Sequence, residues 1–478
     1  MDVPTEIDVD VAIAGAGISG VFAALACGRI GADTLLIERF GTLGGNLGPA
    51  MIWGGSIYGE ADGTLPGGLA GISKEFTGRL EALLGDTPRN FANLSSTCSR
   101  LAYDMMEEAG VKLMLGAYAG DPIVKGGVVQ GLFVETRSGR VAVRAKVTVD
   151  ATGEASLAAR ADAPIIHHTA AKDSFAPIVR PQYLNPDYPK YNEAGLVALI
   201  AGVDFDRYQA FEGWKVEPSE EDARWAKERG LRWQSPLFPL LRKAYEAGDG
   251  DPCRQLAPQV HVVPLIPLIP PHGGPQGIDD YGGGVGAIRM HAFGAIDIDD
   301  WRQVTLLEGG VRARVYELVE IMKRHIAGCE KAYVLFTAPF IGTRGGPCIE
   351  AEHVLTPEES IRGARFDDVM YVNIHESLHG GAKEGFDVPY RILLPKGLDG
   401  LLVTGRGAGY QRRGHDPSGM RARPSMMVLG QATGTAAGLC VRRNESPRKL
   451  DITELQRFLV EQGLCLGDQA RLKALRII

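Results

Sequence analysis

The 478-residue chain holds only seven cysteines, at positions 27, 98, 253, 329, 348, 440 and 465. None stands in a C-x-x-C or C-x-x-x-x-C pair. That spacing argues against a redox-active disulfide and a cysteine zinc site, and for a reducing, cytoplasmic setting. No apolar run approaches the ~20 residues of a membrane span. Basic residues are not in excess: 51 Lys and Arg against 58 Asp and Glu leave a net charge of −7, without the footprint of a nucleic-acid binder. The first residues, Met1-Asp-Val-Pro-Thr-Glu, are acidic, so no secretory signal is expected. No internal repeat and no low-complexity tract occurs. What is there is an ordinary globular composition, 45% hydrophobic and 23% charged, with raised glycine (62) and proline (28). At this length two domains are expected, one able to interrupt the other.

The most informative stretch is 11–38, VAIAGAGISGVFAALACGRIGADTLLIE. Gly15, Gly17 and Gly20 have the G-x-G-x-x-G spacing. A β-branched run (Val9, Val11, Ile13) precedes them, a small-residue helix follows, and a second apolar run ends at Glu38. This is one βαβ unit of a dinucleotide-binding fold. Gly15 permits the tight turn off the strand, Gly17 lets a pyrophosphate approach the backbone, and Gly20 allows close helix packing. The helix N-terminus offers unpaired N–H groups to phosphates. Glu38 can accept from a ribose 2′-OH and would repel a 2′-phosphate, which favours FAD or NAD over NADP.

Beyond this unit, the pattern predicts a helix over 92–110 and a three-stranded meander over 111–149, with strands at Val111–Leu115, Val128–Glu135 and Val141–Val149. Val149-Asp-Ala-Thr-Gly153 follows. Residues 165–300 are rich in proline and loop signals, with amphipathic helices expected at 192–201, 219–229 and 237–247 and a longer one at 300–327. The expected organisation is α/β. A discontinuous Rossmann-like domain (1–166 and 371–450) is interrupted by an α+β substrate or cap domain (167–370). A C-terminal helix at 424–441 is followed by a helical tail (451–478).

The texture of the first domain returns in Phe386-Asp-Val-Pro-Tyr-Arg-Ile-Leu-Leu-Pro-Lys-Gly-Leu-Asp-Gly-Leu-Leu-Val-Thr-Gly-Arg406, then Arg421 and Leu429-Gly-Gln-Ala-Thr-Gly-Thr-Ala-Ala-Gly438. Together with Glu38-Arg-Phe-Gly-Thr-Leu-Gly-Gly45 and Asp150-Ala-Thr-Gly153, these segments resemble the FAD-dependent oxidoreductase family of the glutathione reductase-like superfamily. Fumarate-reductase flavoproteins are more distant likenesses. The resemblance implies that Gly15, Gly17 and Gly20 take the FAD pyrophosphate and Glu38 the adenosine ribose. Arg39, Gly44, Gly45 and Asn46 would lie along the diphosphate and ribityl chain. Ala117 to Ala119 would edge the adenine, Thr152 and Gly153 approach the pyrophosphate, and Gly405 and Arg406 sit under the ribityl chain. The N-terminus of the 424–441 helix would point at the flavin N1–C2=O edge, where reduced flavin carries negative charge. FAD would be non-covalent, since no histidine precedes His167. Where relatives often carry R-E-S/T-R, this chain has Gly342-Thr-Arg-Gly-Gly-Pro-Cys348.

The flavin supplies the redox chemistry, and the protein must position substrate and move a proton. Two polar clusters are candidates: Arg412, Arg413, His415, Asp416 and Arg421, and His375, Glu376 and His379. Histidine suits proton transfer near neutrality, and arginine suits carboxylates or an oxyanion. His375 and His379 could hold a metal if helical, but H-E-x-x-x-H is not the zinc-protease pattern, and no metal is expected. Arg391 and Arg421 are read as either substrate ligands or structural clamps on the flavin domain, and Tyr390 as a packing residue. Arg289 and His291 could face the flavin from a cap-domain strand. His167-His168 reads as a hinge or plain surface. The run Gly273 to Gly286 lacks a preceding nucleotide strand and a downstream acid, so one dinucleotide site is expected.

The sequence reading is thus an FAD-dependent oxidoreductase moving a hydride between a small organic substrate and flavin N5, as dehydrogenase or reductase. An O₂-using oxidase or monooxygenase and a non-catalytic electron-transfer or redox-sensing flavoprotein stay open. The electron donor or acceptor and any homo-oligomeric state are unassigned.

Overall fold

The computed structural model describes residues 6–52, 68–87, 91–167, 192–229, 237–257, 260–264, 283–294, 296–344, 346–374, 384–411, 420 and 422–478. The chain opens with β1 (Glu6–Ala14), α1 (Ile18–Ile30) and β2 (Thr34–Glu38). Helices α2 (Gly71–Leu84) and α3 (Phe91–Glu108) follow, then β3 (Lys112–Leu115), β4 (Tyr118–Lys125), β5 (Val128–Thr136) and β6 (Gly139–Asp150). These strands form one sheet in the order β3-β2-β1-β6-β5-β4, and β16 (Leu401–Val403) pairs with the last residues of β6. The pairs β3–β2, β2–β1, β1–β6 and β6–β16 are parallel. Both faces of the parallel part are covered, with Val11 and Ile13 in one apolar core and Ala12 and Ala14 in another, as a parallel sheet requires. The meander differs from the sequence expectation in its first strand. Residues 112–115 pair in parallel with β2 at the far edge, and Tyr118–Lys125 begins the antiparallel β4-β5-β6 meander. Gly116, at φ +61, turns the chain between the two.

Register places the C-terminal strand ends side by side. Ala14 lies opposite Ile37 and Asp150, and Val403 opposite Asp150. The residues that follow each strand therefore converge on one edge of the sheet, where open α/β sheets bind ligands.

Helix α10 (Arg423–Arg443) packs along α1. Side chains on Gly430 and Gly434 would collide with the carbonyls of Ser19 and Ala23, so glycine at this four-residue spacing lets the two backbones touch. The Cys27 thiol donates to the Gly434 carbonyl at 3.2 Å across the same contact. Residues 424–440 of α10 are all buried, which explains its lack of a polar face.

After α4 (Ser156–Arg160) and β7 (Ile165–Ile166) comes a second sheet, built from β8 (Asn192–Ala201), β9 (Val260–Pro264), β10 (Gly286–Gly294), β11 (Tyr333–Thr337) and β12 (Gly342–Arg344). Its order is β11-β8-β10-β9, with β12 also beside β8. Helices α5 (Phe205–Gln209), α6 (Glu220–Glu228), α7 (Leu237–Glu246) and α8 (Trp301–His325) accompany it. On α8, Leu307, Val311, Val315 and Leu318 share a core with Ile288, Met290 and Ala292 of β10. The expected helix at 192–201 is instead the central strand β8. Leu196 to Ala201 is buried on both faces, and a continuous apolar run has no period to separate strand from helix.

From β13 (Cys348–Ile349), which pairs with β7, the chain lies on the first sheet. It continues through α9 (Pro357–Arg362), β14 (Val369–Asn373) and β15 (Phe386–Pro389) to β16 and α10, and ends in α11 (Ile452–Glu461) and α12 (Gln469–Ala474). Thr356 opens α9 with a capping box to Glu359.

Candidate cofactor and active site

The glycine turn sits at the converging strand ends. Gly15 has φ +100 and donates its N–H to the Ile37 carbonyl at 2.8 Å, and a Cβ there would stand 2.6 Å from the Ala151 carbonyl oxygen. A side chain on Gly20 would collide with the Gly15 carbonyl. Gly17 is different: a Cβ there would meet nothing within 4 Å. Gly17 is the N-cap of α1 and gives it no side-chain cap. The first N–H groups of α1 thus face a side-chain-free space at the positive end of a helix, which suits a pyrophosphate.

Glu38 ends β2 and is buried. Its Oε2 accepts from the Ala16 N–H at 2.7 Å and its Oε1 from the Phe40 N–H at 3.0 Å. One carboxylate so ties the glycine turn to the loop after β2, and each oxygen keeps acceptor capacity for a ribose hydroxyl. That loop crosses the turn: Gly44 donates to the Ala16 carbonyl at 2.8 Å, and a Cβ on Gly45 would be 2.9 Å from Gly17 Cα. From α3, Ser99 and Tyr103 hold the loop through the carbonyls of Leu43 and Gly41, at 2.7 and 2.8 Å. Asn46 continues it, accepting from the Ile52 N–H at 2.9 Å. Arg39 is exposed, its guanidinium over the stacked rings of Phe40 and Phe340.

The second turn is organised by a residue the sequence reading used only as motif. Asp150 is fully buried and accepts from the Thr152 N–H and hydroxyl (3.0 and 2.7 Å) and from the N–H groups of Leu157 and Ala158 (both 2.9 Å). Thr152 is thereby locked, and Gly153, at φ +85, faces the Arg406 guanidinium. Arg406 donates to the carbonyl and hydroxyl of Thr343 and, at 3.4 Å, to Glu154, to which the Thr343 hydroxyl also donates at 2.9 Å. Its side chain thus ties the turn after β16 to β12 and to the turn after β6. Beside Glu38, the Ala117 N–H donates to the Glu38 carbonyl at 3.0 Å, and the Ala119 carbonyl accepts from Arg160 at 2.9 Å.

The five residues picked from sequence for catalysis, His375, His379, Arg412, His415 and Arg421, lie outside the described residues, as do Glu376, Arg413 and Asp416. Their flanks are described and meet. Asn373, at the end of β14, accepts at 3.1 Å from the Ser425 hydroxyl in the first turn of α10, and Ser425 shares a 3.2 Å hydrogen bond with Tyr371. All three are buried, and burial pushes the Tyr371 phenol up. Sequence reasoning missed this cluster. The signal was a polar residue closing an otherwise apolar strand. Tyr390 and Arg391 are structural: the buried Tyr390 hydroxyl donates to the Pro447 carbonyl at 2.9 Å, and Arg391 pairs with Asp368 through Nε and Nη2 at 2.9 and 3.1 Å. His291 lies buried in the second sheet, and His167 is partly exposed, 3.7 Å from Asp299. Among the described residues no group of three His, Cys, Asp or Glu comes together that could hold a metal.

Two N-terminal helix ends, an acid after β2 and a parallel sheet of Rossmann type define a dinucleotide-binding flavoprotein fold. The family model for FAD-dependent oxidoreductases matches residues 10–459, and the chain belongs to that family: it is an enzyme, and its cofactor is FAD. Solved structures with a similar course include a geranylgeranyl bacteriochlorophyll reductase-like protein from Thermoplasma acidophilum, 13% identical over 98% of this chain and 96% of the other, with TM-score 0.43. A myxobacterial chondrochloren halogenase is 11% identical over 95% and 79%, with TM-score 0.43. An anhydrotetracycline hydroxylase from Streptomyces rimosus is 14% identical over 98% and 68%, with TM-score 0.41. Among curated proteins none matches the chain.

Proposed function

We propose that this FAD-dependent oxidoreductase moves a hydride between a small organic substrate and flavin N5, and that the second sheet with its helices is the substrate-covering unit. The observation that carries the reading is the seat of β12. It is held by Arg406, on the turn after β16, and by Glu154, on the turn after β6, and its Gly342 abuts Ile52 of the loop after β2. A second unit fixed there covers the space beyond the pyrophosphate turn and keeps water from it, as hydride chemistry requires.

FAD, when bound, supplies the two-electron chemistry. Gly17 and the first turn of α1 receive the pyrophosphate, and Glu38 accepts from the adenosine ribose. The uncapped first turn of α10, with Pro424 near its start, presents partial positive charge toward the far end of the site. His375, His415 and Arg421 are our candidates for moving the proton, with His379 and Arg412 beside them. Asn373 and Ser425 bring the ends of their two segments together.

The test is anaerobic bleaching of the flavin band against a panel of small metabolites, in the parent and in His375→Ala, His415→Ala and Arg421→Ala. The expected result is bleaching by one substrate class, slowed about a hundredfold in at least one variant, in line with loss of a general acid or base. Three variants that match the parent would remove these residues from the mechanism. Reoxidation by air much faster than by any organic acceptor would favour an O₂-using oxidase or monooxygenase. Reduction only by a partner protein would favour electron transfer without catalysis.

A further inference from the structure

Strand pairing sets three residues of the second sheet in one row. Gly342 of β12 lies opposite Gly195 of β8, which lies opposite His291 of β10. Residues opposite one another in an antiparallel pair share a face of the sheet. At one end of the row, a Cβ on Gly342 would collide with Ile52 Cδ1 and stand 3.6 Å from Asn46 Oδ1, so this face meets the loop after β2 that crosses the glycine turn. At the other end, the His291 imidazole lies over Gly195: a Cβ there would be 3.1 Å from Nε2 and 3.3 Å from Cδ2. The ring thus leans along the row from β10 toward β12, in the direction of Asn46 and Ile52. Arg289, two residues before His291 and opposite Val197, shares the face.

Glycine within a strand costs stability and marks a close approach. Here the two glycines serve one arrangement, bringing the sheet against the cofactor loop and laying a buried imidazole flat toward it. The opposite face of β10 is apolar, with Ile288, Met290 and Ala292 fully buried, so the polar groups are confined to the side that meets the cofactor loop.

We propose that Arg289 and His291 form the anion-recognition face of the substrate site and take the carboxylate of a small organic acid. A guanidinium fork fits a carboxylate in two-point fashion, and an imidazole can donate beside it. The proposal rests on the reading that the second sheet covers the reacting end of FAD.

The experiment titrates the FAD-loaded protein with benzoate and, separately, with the neutral isostere benzamide, following the visible flavin band. Variants are Arg289→Gln, His291→Gln and Gly195→Ala. The last is mild: Gly195 has no positive φ, and the ring needs to yield by only a few tenths of an ångström. Benzoate is expected to perturb the parent spectrum saturably and benzamide not. Each Gln variant should bind benzoate about tenfold or more weakly, a loss of about 1.4 kcal/mol, with FAD content unchanged. A parent that ignores benzoate, binds benzamide equally, or is matched by the variants would overturn the proposal. The parent comparison decides even if a Gln variant fails to fold. A parent that purifies without flavin would instead defeat the reading beneath it.

Discussion

Gly15, Gly17 and Gly20 are glycines for three separate reasons. Gly15 is held by a positive φ and a nearby carbonyl, Gly20 by contact with Gly15 itself, and Gly17 by the open space before it. Gly17 has an ordinary φ of −68. Gly17→Ala is therefore expected to leave the stability of the FAD-free protein within about 0.5 kcal/mol of the parent, while weakening FAD about tenfold or more. Denaturant midpoints of the apo form and a flavin titration check the two halves. Asp150 works by a different logic. Its two oxygens accept four hydrogen bonds, and an amide offers only one acceptor oxygen. Asp150→Asn should cost about 2–4 kcal/mol through buried donors left unpaired, read from urea unfolding of the apo form. The motif alone named Thr152 and Gly153. That the acid before them holds the turn became visible only with the hydrogen bonds drawn.

At the scale of elements, the α1–α10 contact depends on glycine where the two backbones touch. Gly434→Val would drive a side chain into the Ala23 carbonyl, a backbone group unable to move aside. A loss of about 1–3 kcal/mol or more is expected, with a matching fall in the thermal midpoint. The surface ties among α1, α2 and α3 are weaker. Arg29 holds Glu75 at 2.6 Å, and Arg79 reaches Glu75 at 3.6 Å and Glu108 at 2.5 Å. The Arg29 hydrogen bond holds the Glu75 carboxyl below its ordinary value. A depressed folded-state pKa adds stability above the ordinary glutamate range and loses it as pH falls through the lowered value. Glu75→Gln should cost about 0.5 kcal/mol at neutral pH, scaled for its exposure, and parent and variant should converge in acid. Element boundaries were readable where a period or a cap existed. The long helix expected at 300–327 is Trp301–His325, started by the Asp300 side chain accepting from the Arg302 N–H, and the helix expected at 424–441 is Arg423–Arg443. β8 was misread because it is buried on both faces. β4 was passed over because its burial is irregular, mixing exposed and partly buried positions around Pro122.

For the whole molecule, all seven cysteines are free, and all but Cys465 are buried. Burial pushes the thiols of Cys27, Cys98, Cys329 and Cys440 up to about 12. A thiol reagent at neutral pH should therefore label about one cysteine quickly in the native protein and all of them after unfolding. Rapid labelling of several native thiols would contradict the packing described. Among the described residues no helix is long and apolar enough to cross a membrane.

By itself the sequence determined the nucleotide end of this protein. The turn, the helix start and the acid after β2 lie within one short stretch, so local spacing and backbone sterics specify them with little help from the rest of the chain. The family signatures near the C-terminus added the identity of the cofactor. Only the tertiary structure decided which distant segments meet beside that stretch. Arg406 and Glu154 are 252 residues apart, and Gly342, Gly195 and His291 come from three strands whose order follows no local signal. Such contacts depend on strand register and on which faces are buried, and both are set by distant segments packing together.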